Sequence, residues 1–190
     1  MILYLHGFRS APASHKAQQL RAFMAARGIE DSFACPQLPA SPRAAIALAE
    51  RIIAAQATPA VPVTLVGSSL GGYYATHLAE RHGLKAVLIN PAVVAHLSLA
   101  DHVGRQTNLS TGEGFEFTLA HIAELEALEI PRPERPDRYW LMVETGDELL
   151  DYREAVKKYA GARQTVLAGG DHSFTRWRDY LDDVLDFAGL

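Results

Sequence analysis

Hydrophobic residues fall in short runs that alternate with longer stretches in which apolar positions recur at helical spacing. The short runs predict buried strands and the longer stretches predict amphipathic helices. The strands are expected at 2–5, 32–35, 61–66, 85–89, 139–143 and 164–167. The helices are expected at 14–27, 42–56, 69–82, 151–159 and 174–187. Such regular alternation predicts the α/β class, with a mainly parallel sheet and helices on both faces.

The alternation breaks between Pro91 and Arg138. This segment predicts a helix at 93–102, a polar stretch at 107–112 and a second helix at 117–128. An insertion of this length in an α/β domain is typical of a functional loop or a cap. We therefore expect a single domain, residues 1–190, that carries a cap-like insertion at about 91–138.

Composition narrows the class of protein. The chain has 190 residues, of which 48% are hydrophobic and 21% charged, as in ordinary globular domains. The net charge of −4 and the lack of a basic run argue against a nucleic-acid partner. No stretch approaches the ~18 apolar residues of a membrane-spanning helix. The single cysteine, Cys35, excludes an intrachain disulfide and suits a reducing compartment, so a cytoplasmic location is expected. The oligomeric state stays open.

The segment 67–71 reads Gly-Ser-Ser-Leu-Gly and joins a predicted strand to a predicted helix. A Gly-X-Ser-X-Gly pattern in that context is typical of a nucleophile elbow, a sharp turn that exposes the central serine. Ser69 occupies the centre, so Ser69 and not Ser68 is the expected nucleophile. Gly67 and Gly71 would let the strand and the helix approach closely. The alternative is a glycine-rich turn that only packs the strand against the helix.

His6, Gly7 and Phe8 directly follow the first predicted strand. In hydrolases with this elbow, a loop after an early strand supplies one backbone N–H of the oxyanion hole, and the residue after the nucleophile supplies the other. Phe8 and Leu70 are therefore the expected donors. The ring of His6 is expected to brace the loop, because the general base of such enzymes comes late in the chain.

His172 is the expected base among eight histidines. It follows the predicted strand at 164–167 and a glycine pair, which puts it at the carboxyl end of a strand, where open α/β sheets place their sites. The acid should precede it in the chain. The candidates after the strand at 139–143 are Glu144, Asp147, Glu148 and Asp151. We expect Asp147 to be the acid, Asp151 to cap a helix, and Asp171 to point away from the neighbouring ring.

No metal-binding motif is present, and neither a metal nor another cofactor is expected. The segments 4–8, 67–75, 90–92, 145–148 and 169–172 together resemble the YqiA-like esterases, which are small bacterial α/β-hydrolases. The resemblance covers nearly the whole chain. It implies a compact α/β-hydrolase fold, a triad of Ser69, Asp147 and His172, and hydrolysis of a small-molecule acyl ester, with thioesters such as acyl-CoA left open. The alternative is a non-catalytic binding protein on the same fold.

Overall fold

The computed structural model describes residues 1–56 and 62–190. Within these residues the strands are β1 (Ile2–Leu5), β2 (Phe33–Ala34), β3 (Thr64–Ser68), β4 (Lys85–Ile89), β5 (Gly104–Thr107), β6 (Gly114–Phe117), β7 (Tyr139–Glu144) and β8 (Arg163–Leu167). The helices are α1 (His15–Ala26), α2 (Pro42–Gln56), α3 (Leu70–His82), α4 (Ala95–Ser98), α5 (Leu119–Ala127), α6 (Tyr152–Lys158) and α7 (Leu181–Ala188). No helix among these residues has the length and apolar character needed to cross a bilayer.

Six strands form one sheet in the order β2-β1-β3-β4-β7-β8, and every neighbouring pair is parallel. Side chains alternate between the faces of a strand. Leu3 and Leu5 therefore face α2, α3 and α6, whereas Ile2 and Tyr4 face α1 and α7. The predicted α/β class, with a mainly parallel sheet and helices on both faces, is confirmed.

Several predicted boundaries are wrong. β3 runs from Thr64 to Ser68, two residues beyond the predicted end, and Val61 lies outside the described residues. The closing helix does not begin at Phe174, which has a φ of 59° and occupies a turn before a 3-10 segment. The N–H groups of Thr175 and Arg176 donate to the buried carboxylate of Glu144. That tertiary contact holds the chain in a loop, and α7 begins only at Leu181.

The insertion also differs from its prediction. The expected helix at 93–102 is divided into the short α4 and a 3-10 turn at Ala100–His102. The polar stretch forms the tip of an antiparallel hairpin, β5 and β6, which we call the insertion hairpin. The side-chain oxygen of Asn108 accepts the N–H groups of Ser110 and Thr111 and so closes its tip. The strands are only four residues long, so their alternation is too brief to stand out in the sequence.

Candidate active site

Parallel strands end at the same edge of their sheet, so the loops that follow them meet there. The loop after β1, residues 6–10, and the loop after β8, residues 168–176, both lie at this edge. We call them the β1 loop and the histidine loop. The turn after β3 carries Ser69, and the loop after β7 carries Asp147. All the predicted site residues therefore come from one end of the sheet.

Ser69 occupies the turn between β3 and α3, with φ 55° and ψ −120°. A side chain in this backbone region costs of order 1–3 kcal/mol and persists only where neighbours hold it. The Ser69 N–H donates to the carbonyl of Ile89 at 3.0 Å, and the Ser69 carbonyl accepts from Gly72, Tyr73 and Ala92. The strained turn is therefore held from β4 and from α3.

Gly67 and Gly71 bring the strand and the helix together around Ser69. A Cβ atom on Gly67 would lie 2.3 Å from the carbonyl oxygen of Gly71. A Cβ atom on Gly71 would lie 1.9 Å from the carbonyl oxygen of Leu5. Both distances are far inside van der Waals contact, and the neighbouring atoms belong to the backbone. Only glycine fits at these two positions.

His172 and Asp147 are in direct contact. The Nδ1 atom of His172 lies 2.8 Å from Oδ2 of Asp147, whose side chain is 2% exposed. The other carboxylate oxygen accepts the N–H groups of Leu149 and Leu150. Burial alone would raise the pKa of Asp147, but the hydrogen bonds from His172, Leu150 and Leu149 outweigh it and lower the pKa. The carboxylate is therefore ionised, and it favours the imidazole tautomer with the proton on Nδ1.

The structure brings His172 to Asp147 but does not join Ser69 to His172 by a side-chain hydrogen bond within residues 1–56 and 62–190. Catalytic hydrogen bonds are often long in a free enzyme and tighten when substrate binds. The two residues are linked through Asn90, which follows Ile89, the acceptor of the Ser69 N–H. The Asn90 amide donates to the carbonyls of Asp171 and His172, each at 3.1 Å.

The other candidate acids have separate partners. Asp151 is the N-cap of α6, where it accepts the N–H of Arg153 and pairs with its guanidinium. Asp171 accepts from the N–H of Ser173. Glu148 accepts the backbone N–H of His172 at 3.0 Å and does not bond its ring. Asp147, Asp151 and Asp171 thus have three different sets of partners, and only Asp147 contacts the ring of His172.

Glu144 has a position that the sequence analysis missed. Its side chain is fully buried and accepts hydrogen bonds from Asp171, Thr175 and Arg176 of the histidine loop. Burial alone would raise its pKa, but the hydrogen bonds from Thr175, Arg176 and Asp171 dominate and lower the pKa to about 2. A glutamate that ends an otherwise apolar strand is the only sequence signal, since these partners follow 27 to 32 residues later.

Asn90, unlike Glu144, was not among the candidate residues of the sequence analysis. It is 2% exposed and has a φ of 39°. Besides holding the histidine loop, its side-chain oxygen accepts the N–H of Glu144 at 3.0 Å. Asn90 thus ties β4, β7 and the histidine loop together. The signal was an asparagine directly after a buried strand and directly before Pro91.

The β1 loop lies against the nucleophile turn. A Cβ atom on Gly7 would be 3.2 Å from the Cβ atom of Ser69. The N–H groups of Phe8 and Leu70 hydrogen-bond no described residue, which for Leu70 follows from its place in the first turn of a helix. His6 accepts the Leu38 N–H at its Nε2 atom, so its Nδ1 atom carries the proton and donates to the Gly7 carbonyl. Burial lowers the pKa of His6, and the neutral ring braces the loop.

The insertion hairpin docks on the β1 loop. The Asn108 amide donates to the carbonyl of Ser10 at 2.8 Å, and the Leu109 N–H donates to the carbonyl of Arg9 at 2.7 Å. The ring of Phe8 packs edge-on against Phe115 and Phe117. Sequence reasoning placed no contact between these segments, which are about a hundred residues apart.

No group of three or more His, Cys, Asp or Glu side chains is placed to hold a metal ion in the described part of the chain. The arrangement offers a serine on a strained turn, an imidazole oriented by a carboxylate, and two unused backbone N–H groups. These are the elements of nucleophilic acyl transfer.

Solved structures with the same fold are hydrolases of several kinds. The chain matches mouse alpha/beta hydrolase domain-containing protein 10 with a TM-score of 0.74 and 17% identity, covering 97% of this chain and 89% of that one. For a monoacylglycerol lipase of Paleococcus ferrophilus the TM-score is 0.69, with 14% identity and coverages of 98% and 93%. For Est1E of Butyrivibrio proteoclasticus it is 0.68, with 12% identity and coverages of 98% and 85%.

At these identities the solved structures show the fold alone, which is that of the α/β-hydrolases. The sequence itself matches a family model over residues 1–189, nearly its full length. The family resemblance expected from the sequence motifs is thereby confirmed. The chain belongs to the uncharacterised protein family UPF0227, which is the YqiA family.

Proposed function

We propose that this protein is a serine hydrolase that cleaves acyl esters, with Ser69 as nucleophile, His172 as base and Asp147 as the acid that orients it. One observation carries the proposal: the 2.8 Å contact between His172 and Asp147 at the sheet edge that also carries Ser69. A carboxylate that holds the Nδ1 proton leaves Nε2 free to accept a proton. The hydrolases, lipases and esterases among the structural neighbours agree with a hydrolase.

In the first half of the reaction, His172 Nε2 removes the hydroxyl proton of Ser69 as Oγ attacks the carbonyl carbon of the ester. The N–H groups of Phe8 and Leu70 stabilise the negative oxygen of the tetrahedral intermediate. The bond to the leaving oxygen then breaks, and His172 gives its proton to that oxygen. Ser69 is left acylated and an alcohol departs.

In the second half, His172 removes a proton from water, which attacks the acylated Ser69. The acid is released and the proton returns to the serine oxygen. A thioester would follow the same steps with a thiol as the departing group. The ionised Asp147 stabilises the imidazolium that forms in each half.

The proposal includes one domain of residues 1–190, in which residues 91–138 act as a cap over the β1-loop side of the site. The contacts of this insertion support it. Tyr73 of α3 donates to the carbonyl of Leu125, and Ser41 donates to the carboxylate of Glu124 at 2.7 Å. With the insertion hairpin on the β1 loop, these contacts join the insertion to the sheet domain at three places.

Hydrolysis of para-nitrophenyl acetate and butyrate by wild type and Ser69→Ala tests the proposal. We expect Ser69→Ala to lower kcat/KM by at least about 10³-fold, because the nucleophile is lost. Ser68→Ala is the matched control and should keep activity within a few-fold. A fluorophosphonate probe should add mass to the wild type and to Ser68→Ala alone. Equal ester hydrolysis by wild type and Ser69→Ala would refute the proposal, and a folded wild type that resists the probe would favour a binding protein.

A further inference from the structure

A cavity of about 200 Å³ opens beside Phe8 and Leu70. Its walls come from four parts of the chain: the β1 loop, the segment 37–40 after β2, the first turns of α3, and the insertion hairpin. Leu38 and Phe115 make much of its lining apolar. At about 30 Å³ for each water in the liquid, the cavity has room for about six or seven groups of that size.

The position of the cavity selects the part of the ester that it would hold. His172 must reach the leaving oxygen to protonate it, so the leaving group lies on the histidine-loop side of Ser69. The cavity is bordered by both residues with unused backbone N–H groups and by no residue of the histidine loop or of the loop after β7. Ser69 does not border the cavity, but its neighbour Leu70 and Gly7, which lies against Ser69, do, so the cavity lies on the side left for the acyl group.

Tyr74 adds a polar group to the largely apolar lining of the cavity. The residue is 3% exposed and lines the cavity. Its side chain borders the cavity, and its hydroxyl hydrogen-bonds no described residue. The buried hydroxyls of Tyr73 and Thr76, on the same helix, are both hydrogen-bonded.

The hydroxyl of Tyr74 can donate a hydrogen bond to a ligand in the cavity. A hydroxyl at the wall of an open cavity can pair with water, but a ligand that fills the cavity displaces that water and must replace its hydrogen bond. Burial also raises the pKa of Tyr74, so the hydroxyl keeps its proton. A plain alkyl chain would fill the space and leave this donor unsatisfied. An acyl chain with an oxygen at the right distance would satisfy it.

We propose that this cavity is the acyl pocket and that the Tyr74 hydroxyl donates to an oxygen carried by the acyl chain. The substrates are then short esters or thioesters whose acyl group bears a carbonyl, hydroxyl or ether oxygen a few carbons from the reacting carbonyl. This inference rests on the proposed function, since it needs Ser69 to attack and His172 to define the leaving-group side.

Matched para-nitrophenyl esters test the role of Tyr74. The pairs are pentanoate with 4-oxopentanoate, and hexanoate with 5-oxohexanoate, so each pair differs by one ketone oxygen. We expect wild type to prefer the oxo ester in at least one pair. Tyr74→Phe should lower kcat/KM for that oxo ester by about 5- to 10-fold, the worth of a typical hydrogen bond, and leave the plain ester unchanged or faster.

Tyr152→Phe is the matched control, because Tyr152 begins α6 and does not line the cavity. It should keep the wild-type ratio of oxo to plain ester. Equal ratios in wild type, Tyr74→Phe and Tyr152→Phe for both pairs would overturn the role of Tyr74. A fall in kcat/KM of Tyr74→Phe that is equal for the plain and the oxo esters would also overturn the role of Tyr74.

Filling the cavity tests its assignment as the acyl pocket. Ala40→Phe places a ring at the cavity wall and should lower kcat/KM for the hexanoate at least 10-fold while the acetate, whose acyl group is too short, stays within a few-fold. Equal chain-length profiles in wild type and Ala40→Phe would overturn the assignment. Hydrolysis of para-nitrophenyl acetate separates the failure of the two proposals. If wild type hydrolyses the acetate but the chain-length profiles are equal, only the pocket inference fails. If wild type does not hydrolyse the acetate, the proposed function fails.

Discussion

The two loops that flank Ser69 are held in place by different parts of the molecule. The histidine loop is held from within the sheet, by Glu144 at the end of β7 and Asn90 at the end of β4, both almost fully buried. The β1 loop is held from outside the sheet, by the insertion hairpin. The position of His172 thus depends on contacts with the sheet, whereas the surroundings of Phe8 depend on the insertion hairpin.

Under the proposed function, the histidine loop serves the reaction and the β1 loop with the insertion hairpin serves substrate selection. A network of buried hydrogen bonds around a charge is costly to disturb, because each group left unpaired pays its full desolvation penalty. The insertion hairpin is half exposed and rests on a few hydrogen bonds and aromatic contacts. Changes there can reshape the cavity beside Phe8 without unfolding the sheet. Under the proposed function, we expect the substrate preference of related chains to vary through residues 91–138 while the reaction stays the same.

The largest effect is expected at the acid. Asp147→Asn keeps the size of the side chain but lets an amide face Nδ1, which favours the wrong imidazole tautomer. If the proposed triad is right, we expect kcat to fall by about 10³–10⁴-fold, as for the corresponding change in established serine-histidine-acid enzymes. Steady-state hydrolysis of para-nitrophenyl butyrate measures it. Asp151→Asn, four residues later, is the control and should keep its activity; a similar loss in both would contradict the assignment of the acid.

Glu144→Gln tests how strongly the sheet holds the histidine loop. Because the folded pKa of Glu144 is about 2, below the usual range for glutamate, its stabilisation is complete above about pH 5 and is lost as the pH falls towards 2. At about 1.4 kcal/mol for each pKa unit, the variant should lose roughly 3 kcal/mol of unfolding free energy at pH 7. Urea denaturation at pH 7, 4 and 2.5 measures the difference between variant and wild type.

The difference in unfolding free energy between Glu144→Gln and wild type should become smaller as the pH falls from 7 to 2.5. Glu148→Gln is the control, since Glu148 contacts the same loop from a more exposed position, and it should lower the unfolding free energy at pH 7 less than Glu144→Gln does. A Glu144→Gln deficit that stays constant from pH 7 to pH 2.5 would mean that the charge of Glu144 does not hold the histidine loop.

A smaller effect is expected at the tip of the insertion hairpin. Asn108→Ala removes the hydrogen bonds to Ser10, Ser110 and Thr111, each worth about 0.5 kcal/mol, the low end for a hydrogen bond, because the hairpin around them is half exposed. We expect kcat/KM to fall by about 3- to 10-fold, with the unfolding free energy changed less than in Glu144→Gln. Arg105→Ala, exposed on β5, serves as the control. A stability loss as large as that of Glu144→Gln would show that the insertion hairpin belongs to the core.

The smallest effect is expected at the cap of α6. Asp151→Ala removes the side chain that accepts the N–H of Arg153, so the first turn of α6 loses its N-cap. Thermal unfolding should show a melting temperature lower by a few degrees, with kcat and KM unchanged. Any marked loss of activity would mean that the carboxylates after β7 are less separate in role than their contacts indicate.

The parts of the site that the sequence predicts are those that depend on local pattern. Ser69 follows from a pentapeptide between a strand and a helix. Asp147 and His172 follow from the ends of two strands that neighbour each other in the sheet, and the structure places them in contact. In each case the strand and its loop are contiguous in the sequence, so the pattern of apolar residues locates them.

The parts that the sequence does not predict depend on contacts between distant segments. Glu144 ends an apolar strand, but its partners reach it only when the histidine loop folds back over β7. Because of the same contact, α7 begins only at Leu181, although the apolar spacing predicts a helix from Phe174. The insertion hairpin is fixed by Asn108 and by its docking on the β1 loop, and neither contact leaves a periodic signal in the sequence.

The φ of 55° at Ser69 means that the chain folds in spite of its reactive residue. Glycine adopts that backbone conformation without strain. Ser69→Gly would then give an inactive protein that melts at a higher temperature than the wild type. Selection for stability alone would replace Ser69 with glycine. Under the proposed function, selection for catalytic turnover keeps the serine.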